Sequence, residues 1–198
     1  MIKSLFHSSG HEYETYSRTV LGFWIYLMTD CVLFISLFTT YAVLHNSTFG
    51  GPSGRELFSL STAFGETLIL LVSSVTCGFA MLSSLKNKKN AVIGWLAITF
   101  LLGAAFIGLE LEEFATLIQE GNSWQKSAFL SSFFTLVGTH GLHVSIGLLW
   151  MSVVIFQLYF YDITPTTFRR LVIFSMYWHF LDLVWIFIFT FVYLIGVI

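Results

Sequence analysis

Three pairs of ionisable side chains stand three residues apart on the most apolar stretches of the sequence. They are Glu110 with Glu113, His140 with His143, and His179 with Asp182. Residues three apart lie on one face of a helix, so each pair presents two groups in one direction. Carboxylate and imidazole groups placed in this way can bind metal ions inside a helix bundle, and paired histidines can ligate haem.

A metal site of the usual bundle type would have a different pattern. Di-iron and di-manganese bundles carry Glu-x-x-His within one helix, whereas this chain has Glu-x-x-Glu and His-x-x-His on separate segments. The other interpretation is structural, because a histidine that donates to a carboxylate or a carbonyl on a neighbouring helix links two spans. We expect that role for most of these groups, and proton handling or lipid-headgroup binding for the rest.

The composition places these groups in a membrane protein. Of the 198 residues, 56% are hydrophobic and 10% are charged, and the mean hydropathy is +0.81. A helix needs about 20 mostly apolar residues to cross the hydrocarbon core, and five segments reach that length: 20–44, 63–85, 91–117, 128–161 and 171–198. The sequence therefore predicts an all-α membrane protein, with a cytoplasmic segment at 1–19 and a bundle of five transmembrane helices at 20–198.

The basic residues predict the orientation of this bundle. Seven of the nine fall on one side of the predicted spans: Lys3, Arg18, Lys86, Lys88, Lys89, Arg169 and Arg170. Only Arg55 and Lys126 fall on the other side. Since cytoplasmic flanks carry the excess of lysine and arginine, we expect a cytoplasmic N-terminus and an external C-terminus. The first span follows a polar segment and is expected to be retained, and no basic surface suited to nucleic acid is present.

Distances along the helices predict which polar groups share a level. With a rise of about 1.5 Å per residue, Asp30 lies about 15 Å from the inner edge, and His179 and Asp182 about 12 and 17 Å. His140 is about 18 Å from the outer edge and falls near the same level. Glu110 and Glu113 are about 29 and 33 Å from residue 91, which predicts a separate interfacial group.

Small and aromatic residues predict how the spans pack. The small residues of the third and fourth spans would allow close approach of the two helices; they are Gly94, Gly103, Ala104, Gly108, Gly138, Gly141 and Gly147. Trp178, Asp182 and Trp185 share one face of the last span. Such a face usually packs against neighbouring helices, and the alternative is that it faces lipid or another protein. A disulfide between Cys31 and Cys77 is not expected.

Two longer motifs indicate a family. They are Gly-Thr-His-Gly-Leu-His-Val at 138–144, with Gly147, and Tyr-Trp-His-Phe-x-Asp-x-Val-Trp at 177–185. In this order on consecutive spans they resemble subunit III of haem-copper terminal oxidases, and the likeness covers nearly the whole chain. The five spans, the opening Gly22 to Asp30 and the Gly-Gly-Pro-x-Gly loop at 50–54 are most similar to the cytochrome bo type ubiquinol oxidase branch.

The resemblance implies a non-catalytic subunit of a complex that oxidises ubiquinol, reduces O2 to water and moves protons outward across the bacterial inner membrane. Haem and copper are then expected in subunit I rather than in this chain, with subunits II and IV in the same complex. Related third subunits bind phospholipid and support assembly and sustained turnover. We take six side chains as a candidate polar network: Asp30, Glu66, His140, His143, His179 and Asp182. Trp178 and Trp185 are expected near a lipid or subunit surface.

The sequence also departs from the family pattern. Relatives of the cytochrome c branch generally have seven spans, and the two missing here favour the quinol branch. A family glutamine followed by glutamate and tyrosine is replaced by Glu110, Glu113 and Phe114. Two other classes remain as alternatives: a haem-binding electron carrier with His140 or His143 and His179 as ligands, and a small-solute transporter.

Overall fold

The computed structural model describes residues 10–50, 54–57 and 59–197. Helices account for nearly all of these residues, and no strand occurs among them. Five long helices are present: α1 (Gly10–Leu44), α2 (Leu60–Leu85), α3 (Lys89–Gln119), α4 (Ala128–Phe160) and α5 (Pro165–Ile188). All five are long and apolar enough to cross a membrane, which confirms the predicted all-α fold class. A single turn at Gly54–Leu57 lies between α1 and α2, and α5 continues as a π-helix, Phe189–Leu194, and a last turn, Ile195–Val197.

The first and last helices of the sequence extend beyond the predicted spans. Helix α1 starts ten residues earlier than expected, at Gly10, so residues 10–19 of the predicted N-terminal segment are helical. Hydropathy detects only the apolar part of a helix, and the first turns of α1 are polar. They carry an ion pair between Arg18 and Glu14, with an N···O distance of 3.5 Å. Helix α5 starts at Pro165, where the Thr164 hydroxyl accepts from the Thr167 N–H at 3.2 Å. Proline at the first helical position and a threonine cap define this start.

The helices form a ring of four with one helix outside. Helix α2 packs most extensively on α3, α3 packs on α4, α4 on α5, and α5 returns to α2. Helix α1 packs against α4 and α5 rather than mainly on its sequence neighbour α2. The core of the protein is therefore the interior of the α2–α5 ring.

Contacts between connections fix the two ends of the bundle. At one end, the Phe129 N–H at the start of α4 donates to the Ser47 carbonyl after α1, at 3.3 Å. At the other end, Lys89 Nζ lies 3.4 Å from Asp162 Oδ1 and links the α2–α3 turn to the α4–α5 turn. These pairings require alternating helix directions, so five of the basic residues, at 86, 88, 89, 169 and 170, lie at one end.

Two glycines, one on α3 and one on α4, leave room for the ring of Trp178. A Cβ atom at Gly103 would lie 2.8 Å from the Trp178 ring, and one at Gly147 would lie 3.1 Å from it. The predicted contact between the third and fourth spans is confirmed. Gly94 and Gly108, however, have no atom within 4 Å of such a Cβ, so the prediction that they serve close packing was wrong.

Both tryptophans of the last span are buried. Trp178 is 2% exposed and Trp185 is fully buried. The prediction that they lie near a lipid or subunit surface was therefore wrong. Sequence spacing placed them on one face of α5 correctly, but that face points into the ring, where each indole N–H finds a hydroxyl acceptor on α2.

Candidate functional site

Three glutamates form an acidic cluster inside the ring. Glu66 comes from α2, and Glu110 and Glu113 come from successive positions on one face of α3. The three carboxyl groups are close enough to interact electrostatically. Glu110 also lies directly on the α4 backbone, because a Cβ atom at Gly141 would be only 2.7 Å from its Oε1. The glycine thus makes room for a carboxyl group.

Hydrogen bonds satisfy only part of the acidic cluster. The Tyr193 hydroxyl, on the π-helix, donates to Glu113 Oε2 at 2.8 Å. Both carboxyl oxygens of Glu66 and of Glu110 are buried without a hydrogen-bond partner among the described residues. An unpaired polar group in an apolar core is costly unless water or a proton compensates it. The cluster therefore has the chemistry to bind internal water and to exchange protons.

His140 stands beside this cluster in an aromatic cage. Its ring stacks on Trp185 with centroids 5.4 Å apart, and the edges of Phe34 and Phe106 approach it at 6.3 and 6.0 Å. The imidazole is fully buried, and neither ring nitrogen has a hydrogen-bond partner in the described part of the chain. The Trp185 indole in turn donates to Thr67 Oγ1 at 3.0 Å, next to Glu66. Aromatic packing, rather than a hydrogen bond, holds the imidazole in place.

Asp30 and His143 form a second group, where α1 meets the ring. The carboxylate Oδ2 lies 3.9 Å from His143 Nε2, beyond hydrogen-bond distance but within electrostatic contact. His143 Nδ1 is 2.8 Å from the Thr139 carbonyl, and the Tyr177 hydroxyl of α5 donates to the His143 carbonyl at 3.0 Å. The pair therefore joins α1, α4 and α5.

His179 and Asp182 form a third group with Ser74 of α2. Ser74 Oγ is 2.6 Å from His179 Nδ1. Asp182 lies near both groups, but its buried Oδ1 atom has no hydrogen-bond partner among the described residues. His179 is exposed and Asp182 is half-buried. These two residues face away from the ring, so the six candidate network residues fall into three separate groups.

The predicted separation of Glu110 from the level of His140 was wrong. Glu110 contacts Gly141, the residue after His140. Counting from residue 91 and assuming a 30 Å core placed Glu110 at the outer boundary, but α3 has 31 residues and α4 has 33. Measured from the shared end of the antiparallel pair, Glu110 and His140 lie about 14 and 18 Å deep.

The described residues contain no group of three histidine, cysteine, aspartate or glutamate side chains arranged to hold a metal ion. The histidines suggested as haem ligands are also apart: His140 lies inside the ring, whereas His179 bonds Ser74 on its outside. The i, i+3 spacing that suggested ligand pairs separates buried His140 from half-buried His143, which lies beside Asp30. The other two pairs stay together, Glu110 with Glu113 and His179 with Asp182.

Comparison with known proteins identifies the family. A sequence profile described as cytochrome c oxidase subunit III matches residues 4–197. The chain belongs to the cytochrome c oxidase subunit III family. The resemblance seen in the two motifs is thereby confirmed over nearly the full length.

Relatives of this subunit III chain come from both oxidase branches. It is 57% identical to the cytochrome bo(3) ubiquinol oxidase subunit 3 of Pseudomonas putida over 192 residues, which cover 97% of this chain and 90% of the relative. It is 47% identical to the quinol oxidase subunit 3 of Bacillus subtilis (strain 168), with 94% and 91% covered. It is 45% identical to the cytochrome c oxidase subunit 3 of Bacillus sp. (strain PS3), with 90% and 86% covered.

The last relative corrects one argument from length. A protein named as a cytochrome c oxidase subunit aligns over 86% of its own length with this five-helix chain. Five spans are therefore compatible with either branch, and the 57% identity to the Pseudomonas putida ubiquinol oxidase subunit, against 45% to this relative, is the better discriminator.

Sequence reasoning missed the hydroxyl partners of the subunit III core. Thr67 and Ser73, which accept from Trp185 and Trp178, are six residues apart on α2, and the two tryptophans are seven apart on α5. Both spacings amount to about two helical turns, so an antiparallel pair can bring such groups opposite each other. That similarity of spacing was the available signal. Tyr193, which bonds Glu113 from the π-helix, had no comparable signal because its position depends on the non-α turn.

We expect Gly141→Ala to destabilise subunit III through Glu110. The added methyl group collides with the Glu110 carboxyl, and overpacking of this kind costs about 1–3 kcal/mol. In a Glu110→Ala background the same change should cost close to nothing, because the colliding atoms are gone. Unfolding of the four proteins in mixed detergent micelles measures this coupling. Gly138→Ala is the matched control, since its Cβ would meet Phe114 at an ordinary 3.7 Å. An equal loss from Gly141→Ala in both backgrounds would contradict the contact.

Proposed function

We propose that this chain is subunit III of a proton-pumping cytochrome bo type ubiquinol oxidase, which oxidises ubiquinol and reduces O2 to water. The observation that carries the proposal is 57% identity, over 97% of the chain, to a protein named as that subunit. A second Pseudomonas relative of the same name, from P. aeruginosa, shows 57% identity over 96% of the chain.

Within that complex the chain is a non-catalytic component. Haem and copper belong to subunit I, beside which this chain packs, and subunits II and IV complete the assembly. The residue arrangement supports this division, because His143 is engaged by Asp30 and the Thr139 carbonyl, and His140 lies in an aromatic cage. The buried polar groups then serve helix register and proton handling rather than cofactor binding.

Affinity purification of the tagged chain in mild detergent tests this proposal. The sample is expected to contain a haem-bearing partner, to show haem absorption and to oxidise ubiquinol. A spectrum that stays with the chain after its partners are stripped away would make it a haem protein instead. Recovery of a colourless chain alone would contradict the oxidase assignment and favour a transporter.

We propose that the protein lies in the bacterial inner membrane with a cytoplasmic N-terminus and an external C-terminus. The proposal is supported by the concentration of basic residues at the end of the bundle that carries the α2–α3 and α4–α5 turns. In a variant without Cys31 and Cys77, a cysteine at Ser123 should react with a membrane-impermeant maleimide on intact spheroplasts. A cysteine at Asn87 should react only after the membrane is opened, and the reverse pattern would invert the topology.

A cleft near the external end is the proposed phospholipid site. It has a volume of about 740 Å³ and lies between the end of α1 and the C-terminal turn. Apolar side chains of Phe38, Tyr41, Phe129 and Phe191 line it together with polar Thr39, His45 and Asn46, of which the last two follow the end of α1. This mixed lining suits an acyl chain with its headgroup towards the end of α1, and the volume falls within the range of small-molecule sites.

Gly196→Leu should fill this cleft and reduce bound phospholipid. A Cβ at Gly196 would contact the Tyr41 hydroxyl at 3.6 Å without strain, so a leucine there occupies the space that a lipid would use. Phospholipid retained per complex, measured by mass spectrometry after detergent washing, is expected to fall. The matched control is Gly22→Leu, at an open position on α1. Equal lipid in both variants would exclude the cleft as the site.

A further inference from the structure

The acidic cluster has no cation to compensate its charge. None of the ion pairs among the described residues involves Glu66, Glu110 or Glu113. Glu66 is fully buried, and Glu110 is 3% exposed. In an apolar interior, an ionised carboxylate without a partner costs far more free energy than a neutral carboxylic acid does. Repulsion between neighbouring carboxylates adds to that cost. The cluster must therefore bind protons.

A tyrosine hydroxyl decides which of the three acids keep their protons. Tyr193 donates to Glu113 Oε2 at 2.8 Å, so a negative charge is least costly on Glu113. The four carboxyl oxygens of Glu66 and Glu110 have no hydrogen-bond partner among the described residues. Ionising either of these two acids would leave a buried charge with neither a donor nor a cation beside it. Whether Glu113 is ionised or neutral, Glu66 and Glu110 each keep a proton.

A buried imidazole extends this group of polar atoms towards the middle of the membrane. The two carboxyl oxygens of Glu110 lie over Gly141, at 2.7 and 2.8 Å from the place of a Cβ atom, and the residue before Gly141 is His140. Both nitrogens of that fully buried ring have no hydrogen-bond partner in the described part of the chain. A neutral acid and a neutral imidazole each donate as well as accept. Water does both too, and an internal water makes about three hydrogen bonds, so water is the ligand that suits these groups.

Helix lengths place the cluster near one face of the membrane, which the proposed topology makes the external face. Helix α3 has 31 residues and exceeds a 30 Å hydrocarbon core by about 8 Å at each end. Glu113 lies about 9 Å from the Gln119 end of α3, at the boundary of that core, and Glu110 lies about 14 Å from it. Glu66 lies about 9 Å from the same end of the bundle, at Leu60. Glu113 is also half-buried, so it connects the two buried acids with interfacial water.

We infer that the acidic cluster is a proton store in the external half of the membrane. Glu66 and Glu110 hold its protons as neutral acids around internal water, and Glu113 with Tyr193 exchanges these protons with water at the external surface. A proton that enters at the Glu113 carboxylate passes inwards and restores the anion, so the exchange consumes no other group. The inference rests on the proposed function for its side of the membrane, and it adds the ligand, the storage residues and the route.

Infrared difference spectra of the intact complex test the storage residues. Glu66→Gln and Glu110→Gln should each lose the carbonyl stretch of a neutral carboxylic acid, and in wild type that band should shift on transfer to D2O. Both variants should stay in the complex, because glutamine keeps the size and the neutrality of a protonated glutamate. Glu120→Gln is the control: Glu120 is exposed just after α3, so only carboxylate stretches should disappear. Loss of carboxylate stretches from Glu66→Gln or Glu110→Gln, or a band that does not shift in D2O, would overturn the inference.

Cysteine labelling tests the route with both storage residues in place. In a Cys31→Ser background, Glu113→Cys should react with a membrane-impermeant maleimide on intact spheroplasts. Native Cys77, which is 1% exposed in the same ring, is the internal control and should stay unreacted. A Glu113→Cys variant that reacts only after the membrane is opened, or not at all, would overturn the inference and leave the oxidase assignment standing. A chain that shows the neutral-acid bands but purifies without a haem-bearing partner would instead overturn the proposed function.

Discussion

The hydrocarbon core of a membrane supplies no hydrogen bonds, and this absence determines how α2 and α5 meet. Each buried polar group on these helices must find a hydrogen-bond partner within the protein, on its own helix or on another, because burial without one is costly. A ladder of three contacts meets that demand: Trp185 to Thr67, Trp178 to Ser73, and His179 to Ser74. Because all three contacts join the same two helices, sliding one helix by a turn breaks all three at once.

The ladder sets the requirements for the other helices. Trp178 can reach Ser73 only if α3 and α4 leave room for its ring, and Gly103 and Gly147 provide that room. Trp185 similarly fixes the plane on which His140 stacks. Helix α1 contributes least to this interior and is joined through Asp30 at its contact with His143. Helices α3 and α4 thus complete the ring around the tryptophans of the ladder, and α1 is attached outside it.

The sequence predicted the helices and the family but not the polar partnerships. Apolar length gave the five spans, because a membrane imposes that length whatever the tertiary contacts are. Periodicity placed Trp178 and Trp185 on one face, yet it could not say that the face points inwards. The level of Glu110 was misjudged because register between antiparallel helices depends on contacts such as Glu110 with Gly141. Hydroxyl groups were overlooked since serine and threonine occur throughout membrane helices without any need for a partner on another helix.

Free energies of hydrogen bonding and of burial distinguish the role of the ladder from that of the acidic cluster. Interhelical hydrogen bonds in membranes average about 0.6 kcal/mol each, whereas a buried polar group without a partner costs about 1–3 kcal/mol. Burying the unpaired carboxyl groups of Glu66 and Glu110 therefore costs more stability than the three contacts of the ladder provide. Packing does not explain why two acids occupy the ring. Departures from local stability concentrate at functional sites. We therefore propose the acidic cluster as the place where this subunit handles protons, with the ladder as the scaffold that holds its helices in place.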